Sequence, residues 1–232
     1  MNVLITGASR GIGKAIAEIF ASSGYDLLIS SRNEMALYKA MEEFQTKYSS
    51  VSIRAKAFDL SDQQQAKDLG KWCLQYAVPD ILVNNAGLFE PGSVYNETAG
   101  TLESQLSINL HSAYHLTRSL LPKMMERKSG HIFNMCSIAS LDAYDNGGAY
   151  SISKFALYGF SKNLREEMKP HNIKVTAIHP GAVLTDSWEG YDNSSNRIMV
   201  AEDIAKMVFV CTQLSPAACV EEILIRPQLG DL

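Results

Sequence analysis

The chain has 232 residues, of which 46% are hydrophobic and 20% are charged, and its formal net charge is −4. This balance predicts a folded globular protein and excludes a disordered or fibrous one. The length favours a single domain, and mild acidity without a long basic segment argues against a DNA- or RNA-binding surface.

No apolar run approaches the roughly 18 residues that a membrane span needs. The first residues, MNVLITG, predict a strand and a glycine turn rather than a signal peptide, so we expect a cytoplasmic protein. The cysteines are scattered without CxxC spacing, which favours reduced thiols over zinc ligation or disulfides. They are Cys73, Cys136, Cys211 and Cys219.

Short apolar runs alternate with longer segments of helical periodicity along the chain. The predicted strands are residues 2–6, 26–30, 52–58, 80–86, 130–137, 174–180 and 221–227. The predicted helices are residues 11–24, 33–48, 62–76, 101–127, 149–168 and 201–214. Strand alternating with helix predicts right-handed βαβ units, hence a doubly wound α/β domain whose seven-stranded parallel sheet has helices on both faces. Residues 185–199 show the least pattern and are predicted as a functional loop.

The first strand leads through a glycine-rich turn into the first helix, in NVLITGASRGIGKAIAEIF. Such a turn lets backbone approach a pyrophosphate closely, and the positive end of the helix points its N–H groups at that charge. The glycines are Gly7, Gly11 and Gly13. Their spacing differs from the common G-x-G-x-x-G, and a tight turn is the alternative, but the position at the first βα turn predicts nucleotide binding.

The second strand ends in LLISSRN, which carries no carboxylate. Ser31 and Arg32 therefore stand where an NAD-binding protein usually offers an acidic residue to the ribose 2′-hydroxyl. The Arg32 guanidinium can instead bind a 2′-phosphate, with Arg10 as a second cation. This favours NADP(H) over NAD(H), and a solvated arginine after a strand is the alternative.

Seven motifs occur in the order and at the spacing of one known family. They are TGASRGIG (6–13), DL (59–60), NNAG (84–87), SIN ending at Asn109, Ser137, YSISK (150–154) and PGAVLT (180–185). Over almost its full length the chain therefore resembles the short-chain dehydrogenase/reductase family. The resemblance implies a Rossmann-type single domain and an oxidoreductase that interconverts a carbonyl and a secondary alcohol by hydride transfer.

The resemblance implies four catalytic residues: Asn109, Ser137, Tyr150 and Lys154. Tyr150 would protonate the carbonyl oxygen as hydride arrives, or act as the base in the reverse direction, and Ser137 would donate a hydrogen bond to the same oxygen. Asn109 would bend its helix and hold a water that connects to Lys154. Without the other motifs, a helix-interior asparagine making a local hydrogen bond is the alternative.

The spacing of Tyr150 and Lys154 supports a shared role, because residues four apart lie on one helix face, here opposite Ile152 and Phe155. An ammonium about 4–5 Å away, at an effective dielectric of about 20, favours the phenolate by about 3–4 kcal/mol. Ionisation near neutral pH needs roughly 4 kcal/mol. We therefore expect Lys154 to lower the pKa of Tyr150.

The same resemblance implies a set of cofactor contacts. They are Gly7, Ser9, Arg10, Gly11, Ile12 and Gly13 in the glycine turn, Ser31 and Arg32 after the second strand, Asp59 and Leu60 at the adenine, Asn85, Ala86 and Gly87 beneath the cofactor, Tyr150 and Lys154, and Pro180, Gly181, Val183 and Thr185 around the nicotinamide carboxamide. Asp59 is alternatively a simple cap after a strand.

The substrate is a small carbonyl or alcohol whose identity the sequence leaves open. Pocket residues under the 185–199 loop would be Leu88, Phe89, Ala139, Leu141, Tyr144, Trp188 and Tyr191. They favour a carbonyl with an apolar flank. The ending VEEILIRPQLGDL departs from the pattern of 3-oxoacyl-carrier-protein reductases, which are the runner-up.

Two readings from other classes remain: a nucleotide-binding regulatory protein without catalysis, and an oligomer that binds NADP only for stability. Retention of Tyr150 and Lys154 argues against the first.

His111 and His115 have the spacing of a shared metal site, but no third ligand accompanies them, so no metal is expected. Apolar groups on more than one side of helices 101–127 and 149–168 predict a homodimer or homotetramer.

Overall fold

The structure is a computed structural model that describes residues 1–185 and 190–231. Within these residues, seven strands pair in parallel in the order β3-β2-β1-β4-β5-β6-β9. They are β1 (Asn2–Thr6), β2 (Asp26–Ser30), β3 (Ile53–Ala55), β4 (Ile81–Asn84), β5 (Gly130–Met135), β6 (Ile173–Pro180) and β9 (Glu222–Ile225). A separate pair consists of β7 (Val183–Leu184) and β8 (Met199–Val200). The predicted seven-stranded parallel sheet is confirmed.

Helices cover both faces of the sheet. They are α1 (Gly11–Ser22), α2 (Glu34–Lys47), α3 (Gln63–Leu74), α4 (Thr101–Leu106), α5 (Ser112–Arg127), α6 (Gly148–Met168) and α7 (Ala201–Thr212). Side-chain caps begin two of them: Asn33 accepts from Ala36 N–H at 3.0 Å, and Asp62 accepts from Gln64 N–H at 2.6 Å. In the described residues, none of the helices has both the length and the apolar character needed to cross a bilayer.

Two apolar cores lie on opposite faces of the sheet. Along β1, Val3 and Ile5 pack in the core with α1, α2 and α7, whereas Leu4 packs in the core with α3, α5 and α6. Because successive strand residues point to opposite faces, a strand that is covered twice must be apolar throughout. This explains why the strands read as continuous apolar runs in the sequence.

The boundaries differ from the predictions where tertiary contacts intervene. Residues 101–127 are helical throughout, as predicted, but a π-helical turn at Ser107–His111 interrupts the α-helix between α4 and α5. The strands β3 and β5 end at Ala55 and Met135, earlier than predicted. The strand order reverses between β1 and β4, and a crevice at such a switch point is where doubly wound folds bind ligands.

Candidate active site

A cleft of about 610 Å³ opens at the carboxyl ends of β4, β5 and β6. Its walls come from the glycine turn, the segments that follow these three strands, the start of α6 and the C-terminal segment. The described cleft-lining residues that were predicted as catalytic are Ser137, Tyr150 and Lys154. Residues distant in sequence therefore meet at the switch point of the sheet.

The glycine turn forms a cradle that only glycine can line. Gly7 and Gly11 have φ values of +65° and +53°, which disfavour other residues. A Cβ at Gly13 would lie 2.3 Å from the Gly7 carbonyl oxygen and 2.5 Å from Asn85 Nδ2. This close approach, at the N-terminus of α1, is a shape that fits a dinucleotide pyrophosphate.

Thr6 joins the glycine turn to the turn after β4, a connection that the sequence did not indicate. Its hydroxyl oxygen accepts from the N–H groups of Asn85 and Ala86, both at 3.0 Å. Asn85 Nδ2 in turn donates to the carbonyl oxygens of Thr6 and Gly7 at 3.0 and 3.2 Å. The neighbouring Asn84 is buried instead and donates to Asn134 Oδ1 at 2.8 Å. The two turns are thus held as one surface.

The predicted 2′-phosphate end contains both exposed and buried residues. Arg32 is exposed, whereas Ser31 is buried and its hydroxyl donates to the backbone two residues later. Asp59 Oδ1 accepts from the Ser61 hydroxyl at 2.7 Å, and this hydrogen bond, aided by the Arg32 charge, lowers the pKa of Asp59. Asp59 therefore makes the capping contact that the sequence offered as the alternative to an adenine contact. Leu60 packs in the core.

The remaining predicted cofactor contacts lie along the cleft. Ile12, Gly87, Pro180, Gly181, Val183 and Thr185 line it. Ser9 is half-buried and Arg10 is exposed at the N-cap of α1. A Cβ at Gly11 would lie 3.2 Å from Thr185 Cγ2, so the 180–185 segment reaches over the glycine turn.

Ser137, Tyr150 and Lys154 converge at the base of the cleft. The Ser137 side chain lies close enough to the Tyr150 phenol to lower its pKa, and the Ser137 hydroxyl oxygen accepts from Ala139 N–H at 3.2 Å. Lys154 Nζ lies 5.6 Å from the centroid of the Tyr150 ring and donates to the Met135 carbonyl oxygen at 2.8 Å. The lysine is only 4% exposed, so its charge lies in a poorly hydrated place.

The expectation that Lys154 by itself lowers the pKa of Tyr150 is wrong for this arrangement. Burial raises the pKa of Tyr150, and the Ser137 hydrogen bond only partly opposes that shift. Burial also lowers the pKa of Lys154 to about 8. The earlier expectation counted the attraction between the two groups and omitted the desolvation of both.

Asn109 connects the π-helical turn to the cleft through long-range hydrogen bonds. Its Oδ1 accepts from Leu88 N–H at 2.7 Å, and its Nδ2 donates to Leu88 O and to Ser153 Oγ, each at 2.9 Å. The alternative of a purely local bond is therefore wrong. A Cβ at Gly87 would lie 3.2 Å from Asn109 Oδ1 and 3.5 Å from Lys154 Nζ, which places the asparagine close to the lysine. Its predicted water contact stays a prediction.

Apolar and aromatic side chains form the outer wall of the cleft. Phe89 contacts Tyr150 edge to face at a centroid distance of 4.8 Å, and burial raises the pKa of Tyr144 to about 12. Leu88 and Ala139 line the same wall. Among the described residues, Leu141 and Tyr191 are not part of the lining. Trp188 lies outside the described residues.

The C-terminal segment closes one side of the cleft, which sequence reasoning missed. Arg226 lines the cleft and pairs with Asp231 at 2.5 Å and with Asp142 at 3.2 Å. Arg197 donates to the carbonyl oxygens of Gly230 and Asp231, both at 2.9 Å. A lone arginine after a last strand carries no sequence signal, since its partner Asp142 lies 84 residues away along the chain.

Neither the histidine pair nor the cysteines form a metal site in the described part of the chain. The rings of His111 and His115 lie 6.3 Å apart, and no group of three potential ligands is present among the described residues. The four cysteines are free thiols. Burial raises the pKa of Cys136, which lines the cleft, to about 11.

Replacing Lys154 by methionine is expected to stabilise the protein at pH 7. The pKa of Lys154 falls from 10.5 to about 8 on folding, a cost of about 3 kcal/mol. Loss of the hydrogen bond to Met135 offsets part of the gain, leaving about 1–2 kcal/mol. Between pH 8 and 10.5 the unfolded wild type binds more protons than the folded one, so wild-type stability rises with pH in that window.

Urea unfolding at pH 7 and pH 10 measures this effect. The advantage of Lys154→Met should shrink as pH rises through the window from 8 to 10.5. Lys206→Met on α7, which replaces an exposed lysine, is the control and should show no such gain. A Lys154 variant that is less stable than wild type at both pH values would contradict the prediction.

Comparison with known proteins places these features in a family. A family model described as short chain dehydrogenase matches residues 1–196. A sepiapterin reductase from Chlorobaculum tepidum is 33% identical over 240 residues, covering 99% of this chain and 97% of the relative.

Two solved structures are similar over nearly the whole chain. A metagenomic short-chain oxidoreductase in complex with NADP has a TM-score of 0.85 and 28% identity, covering 99% of this chain and 98% of the other. L-Sorbose reductase from Gluconobacter frateurii, complexed with NADPH and L-sorbose, has a TM-score of 0.88 and 25% identity, covering 97% of this chain and 94% of the other.

Proposed function

The chain belongs to the short-chain dehydrogenase family, and from this premise we propose that it is an NADPH-dependent reductase of a small carbonyl compound. The observation that carries the proposal is the meeting of Ser137, Tyr150 and Lys154 at the base of one cleft. The glycine turn borders the same cleft through Ile12. A regulatory nucleotide-binding protein would have no need of a buried lysine beside a half-buried tyrosine.

The proposed reaction adds a hydride to the carbonyl carbon and a proton to its oxygen, which converts the C=O bond into an alcohol. When bound in the cleft, NADPH would supply the hydride and be released as NADP⁺. Tyr150 donates the phenolic proton, and the Ser137 hydroxyl donates a hydrogen bond to the same oxygen. Lys154, held by the Met135 carbonyl, stabilises the resulting phenolate. A proton from solvent then restores the phenol.

The raised pKa of Tyr150 in the cofactor-free protein agrees with this direction of reaction. A phenol that resists ionisation keeps the proton that it must donate. In the reverse direction the phenolate is required, and the positive charge of an oxidised nicotinamide would then favour it.

We propose NADP(H) over NAD(H) as the cofactor. Support comes from the structural relatives, which contain NADP and NADPH, and from the exposed Arg32 after β2. The charge of Arg32 reaches Asp59, so the guanidinium lies at the expected adenine end of the site. Buried Ser31 and Leu60 would contribute there through backbone and packing contacts.

Arg32→Ala is expected to lower kcat/KM for NADPH by about 10- to 100-fold, the effect of losing a charge-assisted hydrogen bond. The value for NADH should change little, because NADH lacks the 2′-phosphate. Steady-state kinetics with both cofactors measures the split. Arg54→Ala is the control, since Arg54 lies on β3 and stacks on Tyr76 at 4.4 Å. Equal losses with both cofactors would contradict the assignment.

The cleft wall favours a substrate with an apolar or aromatic flank. Phe89 and Tyr144 present ring surface beside Tyr150, and we propose that the 185–199 segment completes the substrate pocket.

A homodimer or homotetramer through helices 101–127 and 149–168 stays a prediction. Ile152 and Phe155, 43% and 44% exposed on α6, are the apolar groups that such packing would cover.

The function is tested by following NADPH and NADH oxidation against a panel of carbonyl compounds. The panel should contain sepiapterin, sugar ketones, diketones, aryl ketones and a 3-oxoacyl thioester. We expect NADPH-dependent reduction of at least one carbonyl with an apolar flank. NADPH binding without turnover across the panel would instead favour the regulatory or structural alternatives.

A further inference from the structure

The backbone of Ser137 is hydrogen-bonded by two side chains that the proposed chemistry does not use. Its N–H donates to the Ser140 hydroxyl oxygen at 2.9 Å. Its carbonyl oxygen accepts from the Ser140 hydroxyl and, at 3.2 Å, from Nδ1 of His179. Both side chains are completely buried. Because an unpaired polar group is costly in such a place, these contacts strongly restrict where Ser137 can lie.

The hydrogen bonds determine which nitrogen of His179 carries hydrogen. The Ser137 carbonyl oxygen can only accept, and the Ser140 hydroxyl, 3.3 Å from Nδ1, already donates its hydrogen to that oxygen. The hydrogen between His179 and Ser137 is therefore assigned to Nδ1, and Nε2 is the bare nitrogen. Among the described residues, Nε2 has no hydrogen-bond partner. Burial lowers the pKa of His179, which keeps the ring neutral. The histidine is therefore a fixed hydrogen-bond donor to Ser137.

The other side of the imidazole contacts the helix that carries the tyrosine. The rings of His179 and Tyr158 meet edge to face at 4.7 Å and 90°. Tyr158 follows Tyr150 by two turns of α6, so both lie on one helix face. The Tyr158 hydroxyl is itself held, because it donates to Glu222 Oε1 at 2.5 Å. His179, at the end of β6, thus lies between the serine segment and α6.

This packing has a consequence for the Ser137 hydroxyl. Its oxygen already accepts from Ala139 N–H at 3.2 Å, so its own hydrogen points away from the backbone and is available in the cleft. Rotation or retreat of the Ser137 backbone would misdirect that hydrogen. The backbone contacts of His179 and Ser140 oppose such movement.

We propose that His179 is a positioning residue, which together with Ser140 sets the distance and direction of the Ser137 hydroxyl relative to Tyr150. The inference rests on the proposed reductase function. His179 does not contact the substrate and transfers no proton. Its contribution is the hydrogen bond to the Ser137 carbonyl and the packing against Tyr158.

Two substitutions separate the hydrogen bond from the packing. His179→Leu fills similar volume without a donor, and His179→Asn places an amide nitrogen close to the position of Nδ1. We expect His179→Leu to lower kcat by about 10- to 100-fold, as a displacement of about 1 Å in a catalytic group does. KM and the fluorescence-measured Kd for NADPH should stay near wild type. His179→Asn should recover most of the lost kcat.

His131→Leu is the matched control. His131 is also a buried histidine, and its Nε2 hydrogen-bonds to Thr176 Oγ1 at 2.7 Å. Burial lowers the pKa of His131 to about 3, so it too is neutral. It lies at the amino end of β5, away from the cleft. Its replacement should lower Tm while leaving kcat unchanged.

Ser140→Ala keeps the test decisive if His179→Leu does not fold, since it removes the other contacts to the Ser137 backbone and should also lower kcat. Wild-type kcat in the His179→Leu or Ser140→Ala variant overturns the inference. So does an equal fall in kcat in His131→Leu, or no recovery in His179→Asn. An inactive wild type contradicts the proposed reductase function itself. If the wild type is active and Tyr150→Phe is inactive, the reductase function stands, and the His179 variants alone decide whether His179 positions Ser137.

Discussion

Replacing Tyr150 by phenylalanine is expected to lower kcat by about 10²- to 10⁴-fold, the contribution of a positioned general acid. The substitution removes one oxygen and leaves the ring, so the edge contact with Phe89 persists. The Ser137 hydroxyl keeps its contact with the Ala139 N–H. NADPH affinity should change little, because the glycine cradle is untouched. Stopped-flow or steady-state NADPH oxidation measures the loss.

Tyr25→Phe is the control for this variant. Tyr25 is also half-buried, and its hydroxyl accepts a 3.3 Å hydrogen bond from Gln213, far from the cleft. This control should retain wild-type kcat. Turnover by Tyr150→Phe at the rate of Tyr25→Phe would mean that the carbonyl oxygen receives its proton from another group, and the assigned chemistry would be wrong.

Replacing Gly13 by alanine is expected to disrupt cofactor binding. The added Cβ would lie 2.3 Å from the Gly7 carbonyl oxygen, which is backbone and cannot rotate away. The glycine turn must therefore shift or separate from Asn85, at a cost of about 1–3 kcal/mol. If the strain falls on the cradle, the Kd for NADPH rises by roughly 5- to 150-fold. A lower Tm should accompany the loss of affinity.

NADPH fluorescence titration and thermal unfolding measure both effects of Gly13→Ala. Gly159→Ala on α6 is the control, because a Cβ there meets no atom within 4 Å. Alanine in an open helical position should stabilise by about 0.5–1 kcal/mol and leave the Kd unchanged. Unaltered NADPH affinity in a folded Gly13→Ala protein would show that the cofactor does not use this cradle.

The positions of the main elements follow from the sequence because they depend on short-range patterns. Apolar runs alternating with helical periods predicted seven parallel strands, and the sheet contains them. The glycine turn was predicted at the first βα junction, where the structure has it. Tyr150 and Lys154 both line the cleft, as four-residue spacing on a helix implies.

Contacts between distant segments were decided by the tertiary structure alone. Asn109 bonds to Leu88 across 21 residues, and this contact accompanies the π-helical turn that divides the predicted helix 101–127. Arg226 pairs with Asp142 across 84 residues. No periodicity links such pairs, because the sheet order, not the chain order, determines which strand ends are neighbours.

The pKa of Tyr150 shows the same division. The sequence by itself determined that an ammonium would stand near a phenol, since helix geometry is local. Only the fold decided that Lys154 would be buried and Tyr150 half-buried, so that desolvation raises the pKa of Tyr150 and lowers that of Lys154. Desolvation depends on every atom that packs around a group, and those atoms come from strands and loops throughout the chain.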